Sequence, residues 1–348
     1  MANQRNTSGV GRITRSRRVE RRKERWALLI ASIAIALVIA IPSVGYVINF
    51  VLPPREVVIQ VNSVEYSLGD IVKLLRVYQK QAEANQGTFN LSVLPFQVVN
   101  TLVENELIQQ NADSAGISIN DEEIESEVRK RILGPIDNDS QATQSELDRE
   151  FAEKYRRYLN LIQYSQNEHY EMVRLDLYRT VLIEVLSEQI PTNQEHVHLY
   201  KMMIANDQEA DEARTDYIRG ALFEELVQSY DKDPETIRKG GEVGWVPRGI
   251  FEDIDELIFD TLEVGELSEP LPELNIQATQ EIKLQLFMIA DKDPSREVSP
   301  SHLNTLKLSS LDEWLSKERA ENDVQNNFDS DQYEWIVKQL SLSAQRKQ

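Results

Sequence analysis

The spacing of apolar residues divides the chain into stretches of different period. From Trp26 to Leu52 the run "WALLIASIAIALVIAIPSVGYVINFVL" carries no charge, and about 20 apolar residues in a helix cross a hydrocarbon core of about 30 Å. A transmembrane anchor is predicted over 26–52. Val57, Ile59 and Val61 then alternate with Val58, Gln60 and Asn62, a short strand signal. Ser67 stands where an N-cap belongs, ahead of Ile71, Leu74 and Leu75 on one helical face. Val98, Leu102, Leu107 and Ile108 continue at helical spacing up to Gly116, a natural helix stop. Asn120 with Glu123 has the form of a capping box. Polar residues 132–146 predict a loop, and amphipathic helices follow at Leu147–Tyr164 and Gln166–Ser187. The pattern over 53–190 is all-helical after its first strand.

From about Glu195 the period changes. "HVHLYKMMIA" reads as a strand, "DQEADEARTDYIRGALFEELVQSY" as one or two helices, "IFEDIDELIFDTL" as a helix and "KLQLFMIADKD" as a closing strand. That order predicts a small antiparallel sheet with flanking helices over 191–295, so the fold class is α+β. Residues 296–348, with Trp314 and Trp335, predict a helical extension packing back on the first helical region.

Charge sharpens the topology. Residues 1–25 hold nine Arg and Lys against Glu20 and Glu24, leaving −27 on the remainder of a chain whose total is −20. A basic tail directly before an apolar span places 1–25 in the cytoplasm and the bulk outside the cell membrane. A cleaved signal peptide would have a shorter core and a small-x-small site, whereas this run continues to Pro53-Pro54. The acidic remainder repels phosphate and argues against nucleic acid. With no cysteine, disulfide and thiolate chemistry is excluded.

Backbone freedom is concentrated in "KGGEVGW", Lys239–Trp245. A phosphate loop needs Gly-Lys-Ser/Thr opening a helix, which is not the order here. "VIQVNSVEYSLGDIVKLL" and "LVENELIQQNADSAGISINDEEIESEV" resemble the helical region of membrane-anchored SurA/PrsA-type foldases, with Ser63 where a glycine is usual. "LFEELVQSYDKDPETIRKGGEVGWVPRGIFEDIDELIFDTLEVGELSEPL" resembles a parvulin-type peptidyl-prolyl isomerase core, through Phe223, Leu226, Tyr230, Asp233, Gly240, Gly241, Gly244, Trp245, Phe259, Gly265, Glu266, Ser268 and Pro270. The resemblance covers about 240 residues and excludes the last 50 or so.

It implies a cofactor-free prolyl isomerase acting on unfolded exported chains at Xaa-Pro segments. Parvulins set two histidines and an Asp or Cys behind an apolar groove. On that pattern Asp233 is kept, while Lys201 and Gln285 stand at the histidine positions. The groove positions map to Val243, Ile250 or Phe251, Ile254 and Phe259. His198, three residues before Lys201, belongs to the opposite sheet face. His196 and His198 have a chelating i, i+2 spacing without a third ligand, so no metal is expected. Acidic pairs such as Asp253/Asp255 read as solvated helix faces, and no G-x-S-x-G supports a serine nucleophile. Two functions remain open: a divergent isomerase, or a non-catalytic holdase that keeps the parvulin fold to bind peptide.

Overall fold

A computed structural model describes residues 26, 29, 32, 36–135, 143–272 and 283–345 of the chain. The basic tail 1–25 and the centre of the expected 132–146 loop lie outside the described residues. The protein is a mostly helical α+β chain with two small antiparallel sheets. It divides into two units. One takes 1–106, 136–166 and 322–348, the other 107–135 and 167–321.

In the first unit the apolar helix Ala36–Arg55 has none of its residues buried. Strand β1 (Val57–Val61) and β2 (Val64–Ser67) form a hairpin. Asn62 makes its turn at φ 54°, a left-handed conformation that Asn tolerates better than most residues. The Asn62 side chain also accepts from Asp323 N–H at 3.0 Å and donates to Asn322 at 2.8 Å. These bonds steer a distant segment into the sheet. Ser67 and Asp70 form a complete capping box for α1 (Leu68–Ala84), which buries Leu68, Ile71, Val72 and Leu75. Helices α2 (Leu94–Asn111), α3 (Asp121–Leu133), α4 (Gln144–Ile162) and α5 (Gln166–Ser187) follow. α4 begins three residues before the expected Leu147, because Thr143 and Glu146 cap it.

The second unit has a helical part and a sheet part. In the helical part α3 and α5 bury Ile124, Val128, Val173 and Leu182, tied by Arg131–Asp176 at 2.6 Å and Arg174–Asp121 at 3.1 Å. His169 is buried at 2% exposure. Burial and the Arg131 charge lower its pKa to about 4.

The sheet part is built on β3 (Asn193–Ile204). Helices α6 (Asp207–Ile218), α7 (Phe223–Tyr230) and α8 (Pro234–Arg238) lead to β4 (Glu242–Pro247), then β5 (Leu271–Pro272) and β6 (Leu284–Glu297). The strand order is β4-β3-β6-β5. The expected helix over 250–262 is instead a 3₁₀ turn, Glu252–Ile254, and a π turn, Glu256–Thr261. The wider turn puts Ile258 and Phe259 into the core together. α9 (Pro300–Glu321) closes this unit, while β7 (Val324–Asn326) pairs with β1 and α10 (Ser330–Gln345) packs on α1 in the first unit.

The glycine stretch is a tight turn between α8 and β4. Gly241 has φ +81°, and a Cβ there would meet Phe223 at 2.7 Å and the Lys201 carbonyl at 2.8 Å. Gly244 has φ +97° with open space around it.

Two predictions follow from packing and titration. Gly241→Ala combines a left-handed alanine with overpacking and costs about 2–4 kcal/mol in urea unfolding, against about 1 kcal/mol for Gly244→Ala; equal losses would contradict the close approach. His169 is neutral in the native state, so the unfolded chain binds its proton first as pH falls. Stability therefore drops between pH 6.5 and about 4, by up to about 1.4 kcal/mol per pH unit, and His169→Phe removes that part of the slope in pH-dependent melting.

Candidate functional site

Period two along β3 and β6 sends alternate side chains to opposite faces of the sheet. Val197, Leu199, Phe287 and Ile289 pack with Ile258, Phe259 and Leu262 on one face. Met202, Ile204 and Leu286 pack with Ala210, Ala213, Phe223 and Val227 on the other. The first face opens into a groove of about 980 Å³. Leu199, Phe287, Ile250, Phe251, Ile254 and Leu271 give it apolar walls, and Lys201 and Gln285 line it from neighbouring strands.

The loop on one side is held by charge. Arg248 donates twice to Asp260, at 2.9 and 2.8 Å, and to Glu195 at 3.1 Å, with its guanidinium 4.5 Å from the Phe259 ring centre. Those carboxylates push the Arg248 pKa further up. Asp255 accepts from the Gly249 amide at 2.6 Å. Burial raises its carboxyl pKa against the opposing effects of that bond and of Arg248. These contacts fix the turn just before Ile250 and Phe251. Along the edge of β6, Ser268 exchanges hydrogen bonds with the Phe287 backbone at 2.9 Å in both directions.

The expected site residues separate into two groups. Lys201, Gln285, Ile250, Phe251 and Ile254 share the groove. Asp233, Val243 and Phe259 are not among its lining residues. Asp233 is exposed and caps α8, accepting from Thr236 N–H at 3.0 Å and from its hydroxyl at 2.7 Å. Those bonds hold its carboxylate below the ordinary range. The buried neighbour Asp231 does the bracing, accepting from Met203 N–H and Asp233 N–H, both at 2.8 Å. Val243 is the extra residue of a bulge: Glu242 pairs with Tyr200 and Gly244 with Leu199. Phe259 is in the core at 4% exposure, beneath the groove rather than on its wall. His198 lies on the opposite face, stacked on Trp245 at 5.2 Å and bonded to Glu242 at 2.8 Å. No histidine lines the groove among the described residues.

Sequence reading missed the wall that α9 supplies through Ser309, Asp312, Glu313 and Ser316. Their i, i+3, i+4, i+7 spacing was a readable signal of one helix face. It also missed Asp255, whose local pattern matches any solvated acid.

Residues 18–159 match the family model of the SurA-like N-terminal domain, and 201–278 match that of the PPIC-type PPIase domain. The chain thus joins a SurA-like domain to a parvulin-type domain. The two matches together support a likeness to SurA/PrsA-type foldases that carry a parvulin domain. It is 24% identical over 161 residues to the foldase protein PrsA of a Geobacillus species, covering 42% of this chain and 58% of that one. It is 27% identical over 127 residues to the periplasmic chaperone PpiD of Haemophilus ducreyi, covering 32% and 20%. The chain therefore spans less than two thirds of either relative. A crystal structure of PrsA from Bacillus anthracis superposes with TM-score 0.38 at 13% identity, covering 70% of this chain and 95% of that one.

Asp255→Ala removes the acceptor that holds Gly249. The Gly249 amide is expected to exchange about tenfold faster, the equivalent of about 1.4 kcal/mol of local protection; unchanged exchange would mean the loop is held by Arg248 alone.

Proposed function

We propose that this protein is a membrane-tethered folding factor whose parvulin-type domain isomerises Xaa-Pro bonds in unfolded exported polypeptides. The observation that carries the reading is the meeting of Lys201 and Gln285 with Ile250, Phe251 and Ile254 in one groove. The uncatalysed bond rotates over a barrier of about 18–20 kcal/mol because resonance holds the amide planar. Twisting breaks that resonance, so the carbonyl oxygen loses negative charge and the nitrogen regains a lone pair. An apolar pocket that grips the prolyl ring and strips water from the carbonyl, with a cation and an amide donor beside the nitrogen, favours the twisted form over both planar ones. That is differential binding of the transition state, and it requires neither a cofactor nor a covalent step. Lys201 supplies the cation and Gln285 the neutral donor; Asp233 acts from outside as the cap of α8.

Tethering is supported by the exposed apolar helix Ala36–Arg55 and the basic residues preceding it. The proposed boundaries are 1–25 for the cytoplasmic tail, 26–52 for the anchor, 53–190 for the chaperone region, 191–295 for the isomerase and 296–348 for the extension.

One observation favours a second reading. With lysine and glutamine at both histidine positions, the groove keeps its shape while its titrating chemistry is gone. The domain then holds peptide without turning it over.

A protease-coupled isomerisation assay on the full-length chain in neutral detergent separates the two. Catalysis is expected above background, and Lys201→Ala and Gln285→Ala each lower it about tenfold or more. Background rates for the unaltered chain, with peptide still bound, establish the holdase instead.

A further inference from the structure

The groove has an unusual wall. Its other walls are the sheet, through Leu199, Lys201, Gln285 and Phe287, and the Ile250–Ile254 turn, of which Lys201 and the turn fall within the parvulin-type match over 201–278. The last side is α9, which lies beyond that match. Helix α9 turns Leu306, Leu311 and Leu315 inward to the core. The stripe it gives the groove is polar, Ser309, Asp312, Glu313 and Ser316. The helix is seated close to the turn, with a Leu306 methyl 3.0 Å from where a Gly249 Cβ would stand. Across the opening the same turn adds Glu252 and Asp253.

Charge is distributed in a way that points to a ligand. Elsewhere in the sheet part, carboxylates outside the groove are matched: Glu195 and Asp260 by Arg248, and Glu269 by Arg214 at 2.5 Å. Glu252, Asp253, Asp312 and Glu313 are exposed and form no ion pair among the described residues. An apolar floor with four unmatched carboxylates on its two rims complements a segment that is apolar at its centre and cationic at its flanks.

We propose that α9 is a specificity wall, and that the groove selects Xaa-Pro segments carrying Lys or Arg on either side of the proline. This rests on the reading that the groove takes prolyl peptides. The prolyl ring occupies the apolar floor, and a flanking cation reaches Asp312 and Glu313 on one rim or Glu252 and Asp253 on the other. Lys201, the lone cation in the lining among the described residues, disfavours a second cation placed at the floor itself.

The test is fluorescence anisotropy with the full-length chain in neutral detergent. Three labelled Xaa-Pro peptides differ only in bearing Lys, Gln or Glu on both flanks. In low salt the Lys peptide is expected to bind about fivefold more tightly than the Glu peptide, each exposed contact contributing a modest factor. Raising salt to about 0.5 M should shrink the ratio toward one through screening. Asp312→Lys combined with Glu313→Lys should invert the order, whereas Asp207→Lys combined with Asp211→Lys on α6, an equal change in net charge, should leave it standing. Equal affinity for the three peptides overturns the specificity wall while the prolyl groove survives. Inversion by the α6 pair as well would assign the preference to net charge and overturn it too. Failure of all three peptides to bind removes the prolyl reading and this inference together.

Discussion

Strand β3 is hydrogen-bonded along both edges, to β4 on one side and to β6 on the other. With both edges occupied, its register is locked, and a one-residue slip would exchange every buried side chain with its opposite face. The two cores flanking the sheet follow from this, because Val197 and Leu199 are committed to one and Met202 and Ile204 to the other. Lys201 inherits its place from the same parity. It shares a face with Leu199, opposite Phe287 in the register, and reaches the groove for no reason of its own. The glycine turn completes the arrangement: the Gly241 carbonyl accepts from the Lys201 amide at 2.9 Å, tying the turn to the residue it frames.

Much of this was legible in the chain. Alternation revealed β1, β3 and β6, and capping residues fixed the starts of α1 and α3. The glycine-rich stretch revealed the turn, because a left-handed backbone with no room for a Cβ admits almost nothing else. Other parts were hidden for physical reasons. β7 has three residues and pairs with β1 across most of the chain; the Asn62 side chain bonds Asn322 and Asp323 just ahead of it, a long-range contact that local periodicity cannot reveal. The π turn at 256–261 has the same apolar spacing as an α-helix, so periodicity read a longer regular helix where the structure has two tighter and wider turns.

The candidate site divides along the same line. Lys201 and Gln285 were named from the parvulin resemblance, and strand parity then brings both to one face, where they line the groove. Positions set by irregular backbone are not brought there: the bulge at Val243 removes it from the groove, and packing draws Phe259 beneath the floor. Asp233 shows the ambiguity of a short polar side chain before a proline. The residue that caps a helix and the residue that faces a ligand have the same identity, and only the bonds to Thr236 reveal which role holds.

What the exchange of histidines leaves behind can be weighed physically. A histidine pair can redistribute a proton as the amide twists; lysine and glutamine can only orient fixed dipoles and a fixed charge. Electrostatic preorganisation needs no proton movement, and in a low-dielectric pocket aligned donors carry a large share of barrier lowering. The loss therefore falls on tuning rather than on the principle of the chemistry. The charge that remains must also be kept from seeking partners of its own. Lys201 is surrounded by apolar Leu199, Phe251 and Phe287 in the groove, while the acids of α9 and of the 252–253 turn occupy the rims. The Lys201 charge also reaches Asp233, whose carboxylate it helps to hold below the ordinary range. A groove lined in this way offers a fixed charge and a neutral amide where titrating chemistry would need histidine, and that is the constraint under which the proposed isomerase has to work.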